Sequence, residues 1–396
     1  FGLKMKKVVL RAPCLTQSGY GVHSRQVARW LINLADQDKI KLSIQCVPWG
    51  DTSWFLNPEL CDGLIGKIMK YSVGDSSRSA DVSFQLILPN EWDPNIATYN
   101  VGLTAGVETT RCNPAWIQAV NQMDEVIVPS THIENTFRGS GFLHKKITVI
   151  PEAFPDALLE ESNIDTNTFE FETDFNLLVF GQLTAGDPAL DRKNIYKTLQ
   201  SIIETFRGKE DVGIILKSNL GKNTILDYKA LQGIITSVMD SLNHDGTPKV
   251  YLLHGTLSNE EVRDLYYHPT VKALVTLTRG EGFGLPVLEA AACGVPVVAT
   301  NWSSYKDFMK GDAFDLKVKY DLEPISPKRV DNAIFVPGAK WAEAKLESSR
   351  ENLERLYRYP AIYRRRAEDH KKFIIENYSF KTIEKTYNNH FEKVLS

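Results

Sequence analysis

Short apolar runs alternate with amphipathic stretches along most of the chain, and the two periods are readily told apart. In the first part, Lys7 to Arg11 (KVVLR), Leu42 to Val47, Asp81 to Leu88, Asn100 to Val107, Asp124 to Val128 and Ile147 to Ile150 read as strands. A helix follows the loop Ala12 to Gly21, with Val27, Trp30, Leu31 and Leu34 at helical spacing. Ala115 to Asn121 reads as a short helix, and another follows Pro129-Ser130-Thr131. The second part repeats the scheme. Asn176 to Phe180, Val212 to Leu216, Val250 to Leu253, Ala273 to Leu277 and Val295 to Ala299 read as strands. Helices are predicted over Asn194 to Phe206 and Leu226 to Leu242, and after a capping box of Ser258 and Glu261. The repeated strand, loop, helix order predicts an α/β chain with two Rossmann-like halves. Pro155 to Asp174 is acidic and polar and marks the connection between them. Pro48 to Gly74, with Asp51, Trp49 and Trp54, reads as an irregular excursion. Trp341 to Ser396 reads as a charged helical tail with one apolar stripe, Phe380, Ile383, Tyr387, Phe391 and Val394. Arg364-Arg365-Arg366 in that tail reads as a solvated face.

Length agrees with this division, since 396 residues are long for one core and comfortable for two. With 43% hydrophobic and 24% charged residues the composition is that of a soluble globular protein. A net charge of −3 provides no global basic field for nucleic acid or anionic membrane. No apolar run approaches the roughly 20 residues of a membrane helix. Phe1 to Lys4 precede Met5 and read as a tag remnant, with no secretory signal at the start. Five scattered cysteines, Cys14, Cys46, Cys61, Cys112 and Cys293, form no C-x-x-C pair, which suggests free thiols and a cytoplasmic protein. The sequons at Asn301 and Asn377 then read as chance.

The most chemically specific stretch is Thr278 to Thr300, TRGEGFGLPVLEAAACGVPVVAT. Gly280, Gly282 and Gly284 free the backbone for close approach to a ligand. Pro286 suits a first helical turn and Gly294 a helix stop. A helix start behind glycines favours anions, because unpaired N–H groups and the dipole point the same way. Glu281 and Glu289 flank it, and carboxylates accept hydrogen bonds from sugar hydroxyls. A phosphate site bracketed by hydroxyl acceptors fits a sugar nucleotide.

E-G-F-G-L-P-V-L-E, followed by A-x-A-x-G-x-P-V-V-A-T, resembles the E-x7-E motif of retaining GT-B glycosyltransferases, glycosyltransferase family 4 in particular. The resemblance implies two Rossmann-like domains facing a central cleft. Residues 5–165 would be the acceptor domain, 166–375 the nucleotide-sugar donor domain, and 376–396 a helix returning to the first domain. It implies that Glu281 contacts the donor sugar and Glu289 the ribose. The amides of the loop Gly282, Phe283, Gly284 and Leu285 would hold the diphosphate. Gly181 to Lys193 is similar to the family's basic segment, with Gln182 where an arginine is usual and Arg192 and Lys193 at the later basic positions. Two cations at a helix start oppose the dipole and make sense around an anion. Thr256 and Leu257, after Gly255, would read the base through the backbone, and Gly19 and Gly21 would approach donor or acceptor. Lys217, at a strand's carboxyl end, either points to the ligand or lies on the surface. Where the family often has a histidine, this chain has Ala105-Gly106-Val107-Glu108, which makes Glu108 the candidate facing the sugar or acceptor hydroxyl.

The only D-x-D, Asp36-Gln37-Asp38, sits at a helix end and reads as a solvated turn; no metal ligand set and no cofactor is expected beyond the sugar nucleotide itself. Expected partners are that donor and a hydroxyl-bearing acceptor, a glycan or glycolipid first. A modified base in DNA is an alternative acceptor, and a non-catalytic sugar-nucleotide-binding protein is a further alternative. Glu281→Ala and Lys193→Ala are expected, on the sequence alone, to lower turnover far more than stability.

Overall fold

The computed structural model describes residues 5–72, 80–160, 168–183 and 187–396. The tag reading of Phe1 to Lys4 lies outside the described residues, as do residues 73–74 of the excursion, 161–167 of the acidic connection and 184–186 of the basic segment. The chain divides into two compact units: Phe1–Val107 with Arg111–Ala153 and Phe380–Ser396, and Glu108–Thr110 with Phe154–Ser379.

The first unit contains strands β1 (Lys6–Ala12), β2 (Ile40–Cys46), β3 (Ala80–Leu86), β4 (Ala97–Leu103), β5 (Glu125–Val128) and β6 (Ile147–Val149). Its helices are α1 (Gly19–Asp36), α2 (Leu64–Tyr71), α3 (Pro114–Gln122) and α4 (Thr131–Ser140). The strands form one parallel sheet in the order β2-β1-β3-β4-β5-β6. Helices on a parallel sheet bury its strands, so β1 and β3 carry nearly continuous buried runs. The sequence placed the fourth strand at Asn100 to Val107; it runs earlier, and from Thr104 the chain leaves the sheet toward Gly106 at φ +63°. The excursion after Pro48 is not wholly irregular, because Ile65 and Ile68, one turn apart and fully buried, anchor α2.

The second unit contains β7 (Phe175–Phe180), β8 (Val212–Lys217), β9 (Lys249–Leu253), β10 (Val271–Thr276), β11 (Val297–Thr300) and β12 (Lys317–Val318). Between and after them lie α5 (Ile195–Phe206), α6 (Ile225–Ser241), α7 (Asn259–Tyr266), α8 (Leu285–Ala292), α9 (Leu346–Arg358) and α10 (Pro360–Tyr378). The sheet, also parallel, runs β12-β11-β10-β7-β8-β9. Numbered within the unit, this is the doubly wound order, and the strand order reverses between β7 and β10. Ligands of such sheets bind at that reversal, outside the carboxyl ends of the strands. A hairpin of β13 (Tyr320–Pro324) and β14 (Lys340–Ala344) adds a small antiparallel sheet. The sequence assigned Trp341 onward to a helical tail; Lys340–Ala344 is a strand instead, and the first tail helix begins at Leu346.

The last helix, α11 (Phe380–Leu395), belongs to the first unit, as the family resemblance implied. Phe380, Ile383, Tyr387 and Phe391 enter that unit's core. Trp30 of α1, fully buried, stacks on Tyr387 at 4.7 Å and donates from Nε1 to Asn388 Oδ1 at 2.8 Å. The D-x-D turn lies at the end of α1, with Asp36 engaged by Lys67 (2.9 Å) and Tyr71 (2.8 Å).

Candidate active site

Two connections meet at the strand-order reversal of the second unit, the one between β7 and α5 and the one between β10 and α8. The first is organised by Asp191, which is buried and accepts from the Lys193 N–H (3.1 Å) and the Ile195 N–H (2.8 Å), so it caps α5. Asn194 takes a left-handed conformation (φ +54°) and donates to the Leu277 carbonyl at 3.0 Å, which ties this turn to the end of β10. Arg279 fastens the two connections from the other side. Its Nη1 donates to the carbonyls of Pro188 and Asp191, both at 2.7 Å, and its Nε to Glu343 of β14 at 2.7 Å.

Within this frame the side chains of Arg192, Lys193 and Glu281 come together. Lys193 Nζ donates to both oxygens of Glu281, at 2.7 and 2.9 Å, and Arg192 Nη1 lies 3.3 Å from Oε2. Thr278 Oγ1 donates to Glu281 Oε1 at 3.0 Å. Arg192 also reaches Glu108 (3.5 Å) and donates to the Gly280 carbonyl (2.6 Å). The anion between the two cations is therefore the protein's own Glu281. Burial pushes that carboxyl up, but Lys193 and Arg192 outweigh it and hold the group below its ordinary value. Burial likewise works against Arg192, and Glu108 and Glu281 hold it more firmly protonated than usual. Glu108 joins this cluster because Glu108–Thr110 packs with the second unit, where the Thr110 N–H donates to the Lys340 carbonyl at 2.8 Å. Gly280 makes room for it, since a Cβ there would stand 2.4 Å from the Glu108 carbonyl oxygen.

The loop after Glu281 keeps its expected form. Gly284 has φ +94° and caps α8 without a side-chain hydrogen bond, and Pro286 lies in the first turn. Phe283 points into the core against Phe308 (5.4 Å), so only its backbone is available to a ligand; Leu285 is half-buried. Glu281 itself is fixed through its backbone, with its N–H donating to Ser303 Oγ (3.1 Å) and its carbonyl accepting from Ser304 (2.5 Å).

Glu289, within α8, accepts from the Tyr266 hydroxyl at 3.2 Å. Burial raises it to about 7 against that hydrogen bond. A carboxyl raised by folding is held neutral, so its ionisation opposes folding progressively as pH rises from the ordinary 4.5 toward 7. Glu289→Gln is accordingly expected to melt above wild type at pH 8 and level with it at pH 4, in thermal denaturation across that range.

Lys217 is buried, which excludes the surface reading. Its Nζ donates to Asn219 Oδ1 and to the Gly255 carbonyl, both at 2.6 Å, and burial lowers its pKa to about 8. Thr256 is exposed and within 3.5 Å of Asn223, Leu257 packs at the edge of a core cluster, and Gln182 is exposed. In the same connections, buried Ser218 Oγ, Asn223 Oδ1 and His254 Nε2 have no hydrogen-bond partner among the described residues. These three polar groups, at the carboxyl ends of β8 and β9, went unnoticed in the sequence because nothing local marks them. Gly19 and Gly21 lie in the first turn of α1 in the first unit, where Ser18 accepts from the Gly21 N–H at 3.0 Å. A Cβ on Gly21 would stand 2.0 Å from the Thr16 carbonyl oxygen, so this glycine is required by the turn itself, whereas Gly19 is open.

Residues 242–313, which include the Glu281 loop and Glu289, match the family described as "Glycosyl transferases group 1". Over 61 residues the chain is 41% identical to O-antigen chain mannosyltransferase B of Escherichia coli, a match spanning 15% of this chain and 16% of that relative. Among solved structures, sucrose-phosphate synthase from Thermosynechococcus elongatus is similar with a TM-score of 0.65 at 12% identity, covering 98% of this chain and 99% of the other. Anabaena Alr3699/HepE in complex with UDP-glucose is similar with a TM-score of 0.61 at 13% identity, covering 98% and 100%. At such identities the likeness concerns the fold. The two parallel-sheet α/β units and the C-terminal helix are those of a GT-B protein. No helix among the described residues is long and apolar enough to cross a membrane.

Proposed function

We propose that the protein is a retaining, metal-independent glycosyltransferase that moves a sugar from a nucleoside-diphosphate sugar to a hydroxyl of a glycan or glycolipid. The observation that carries this reading is the meeting of Arg192, Lys193 and Glu281 at the strand-order reversal of a doubly wound sheet, beside the start of α8, whose N-cap Gly284 makes no side-chain hydrogen bond. Cations and helix amides suit a diphosphate, and a carboxylate suits sugar hydroxyls. Similarity to the group 1 family over residues 242–313 supports the class, and the mannosyltransferase likeness supports a hexose donor and a glycan acceptor. Five scattered cysteines, none in a disulfide among the described residues, suit a reducing, cytoplasmic setting.

In the proposed reaction the bond between the anomeric carbon and the diphosphate oxygen breaks, and the acceptor oxygen bonds to the same carbon on the same face. The acceptor proton passes to the departing phosphate oxygen, so no protein nucleophile is required. Lys193 and Arg192 stabilise the charge that develops on the leaving diphosphate, and Glu281 orients the sugar. Once the donor enters, its diphosphate takes over the cations that Glu281 holds in the free protein. Mixing the protein with UDP-, GDP-, ADP- and dTDP-sugars, with and without EDTA, tests this. One donor is expected to raise the melting temperature and to be slowly hydrolysed, equally in EDTA. Absence of binding to every donor refutes the reading, and hydrolysis that stops in EDTA refutes metal independence.

A further inference from the structure

The cluster around Glu281 carries no net charge. Arg192 and Lys193 stand against Glu108 and Glu281, two cations against two carboxylates, with Arg192 touching both carboxylates and Lys193 touching Glu281. A diphosphate brought to a neutral cluster gains little, so another cation is called for. The hairpin loop of residues 325–339, between β13 and β14, supplies a candidate. This loop is pre-formed: Asp331 Oδ1 accepts from the N–H groups of Ala333 (2.9 Å), Ile334 (2.8 Å) and Phe335 (2.9 Å). Arg329 lies on the Phe335 ring at 3.9 Å and only loosely against Asp331, at 3.8 Å, with 32% of its side chain exposed.

Three contacts hold the hairpin beside the cluster. Lys328 lies 3.8 Å from Asp187, in the connection that ends at Arg192 and Lys193. The Lys340 N–H donates to Thr110 Oγ1 at 2.9 Å, two residues after Glu108. The Ala342 N–H donates to the Arg279 carbonyl at 3.0 Å. Burial holds Arg329 below its ordinary value, with Asp331 opposing it, Arg192 adding to the lowering and Glu108 opposing it.

We infer that Arg329 is a further donor-binding residue, a third cation that contacts the diphosphate together with Arg192 and Lys193. The inference rests on the proposed donor site and adds a residue to it from an element outside the two large sheets. A guanidinium stacked on a ring and loosely paired keeps its planar donor fork available for phosphate oxygens.

Calorimetric titration of wild type, Arg329→Gln and Arg329→Lys with UDP, GDP and ADP, and with the matching nucleosides, at two salt concentrations, tests it. For the nucleoside diphosphate that binds wild type, Arg329→Gln is expected to bind about tenfold more weakly and with a smaller salt dependence. Arg329→Lys should recover part of the loss, nucleoside binding should be unchanged, and the melting temperature should stay within about 2 °C. Equal diphosphate binding by Arg329→Gln overturns the inference while leaving the donor site standing. So does a loss shared by the nucleosides with a lowered melting temperature, which would mark Arg329 as structural. A defect confined to the KM of a phosphate-bearing acceptor overturns it too, by moving the anion to the acceptor. If wild type binds no nucleoside diphosphate, the donor site falls first, and this inference with it.

Discussion

Lys193→Ala is expected to slow sugar transfer by about 10²- to 10³-fold, the usual cost of removing one preorganised stabiliser of transition-state charge. Lys193 Nζ donates only to the two oxygens of Glu281 among its described hydrogen bonds, and its side chain is 19% exposed. With the amine gone, Glu281 keeps Arg192 at 3.3 Å and Thr278 at 3.0 Å. The buried carboxylate therefore retains a counter-charge and a hydrogen bond, and the fold should lose little. The defect should lie in kcat, because charge on the leaving diphosphate grows toward the transition state. Steady-state kinetics alongside a melting curve check this. Full activity in Lys193→Ala removes the residue from the mechanism, and an unfolded variant removes the distinction between chemistry and stability.

Glu281→Gln is expected to act in two directions at once. Turnover should fall by about 10²-fold as the sugar loses its orienting carboxylate. The nucleoside diphosphate should nevertheless bind more tightly, by about tenfold, because Lys193 and Arg192 no longer spend their charge on an internal carboxylate. Tighter product binding with slower turnover separates a competing internal anion from a simple loss of binding. Glu281→Ala is the poorer experiment. Removing Glu281 takes from Lys193 the carboxylate it donates to, while Arg192 keeps Glu108; breaking a buried pair costs about 3–5 kcal/mol when burial is complete, and less here because both cations keep 19% exposure. The expectation that Glu281→Ala spares stability thus gives way to one of combined loss.

What the sequence made legible was local. The glycine loop and α8, the capping box at Ser258 and the stripe of α11 are each set by residues within a few turns of one another, and their periods appear in the chain. The pairing of Glu281 with Lys193 was not legible, because the residues are 88 positions apart and each looked like a ligand contact in its own right. Arg279 was passed over although a cation directly after a buried strand signals a need for partners; its partner Glu343 lies 64 positions away. The β13–β14 hairpin escaped because its strands are short and β13 is polar and largely exposed, so no period-2 pattern marks it. Phe283 combines two demands: its side chain serves the core, while its motif position offers only backbone to a ligand.

In the proposed reaction Arg192, Lys193 and Glu281 form the seat of a donor diphosphate. Calorimetry in EDTA tests it most directly, with UDP, GDP and ADP titrated into wild type and Lys193→Ala. One nucleoside diphosphate is expected to bind per chain in wild type without metal, and at least about tenfold more weakly in the variant. No binding in wild type, or equal binding in both proteins, would contradict it.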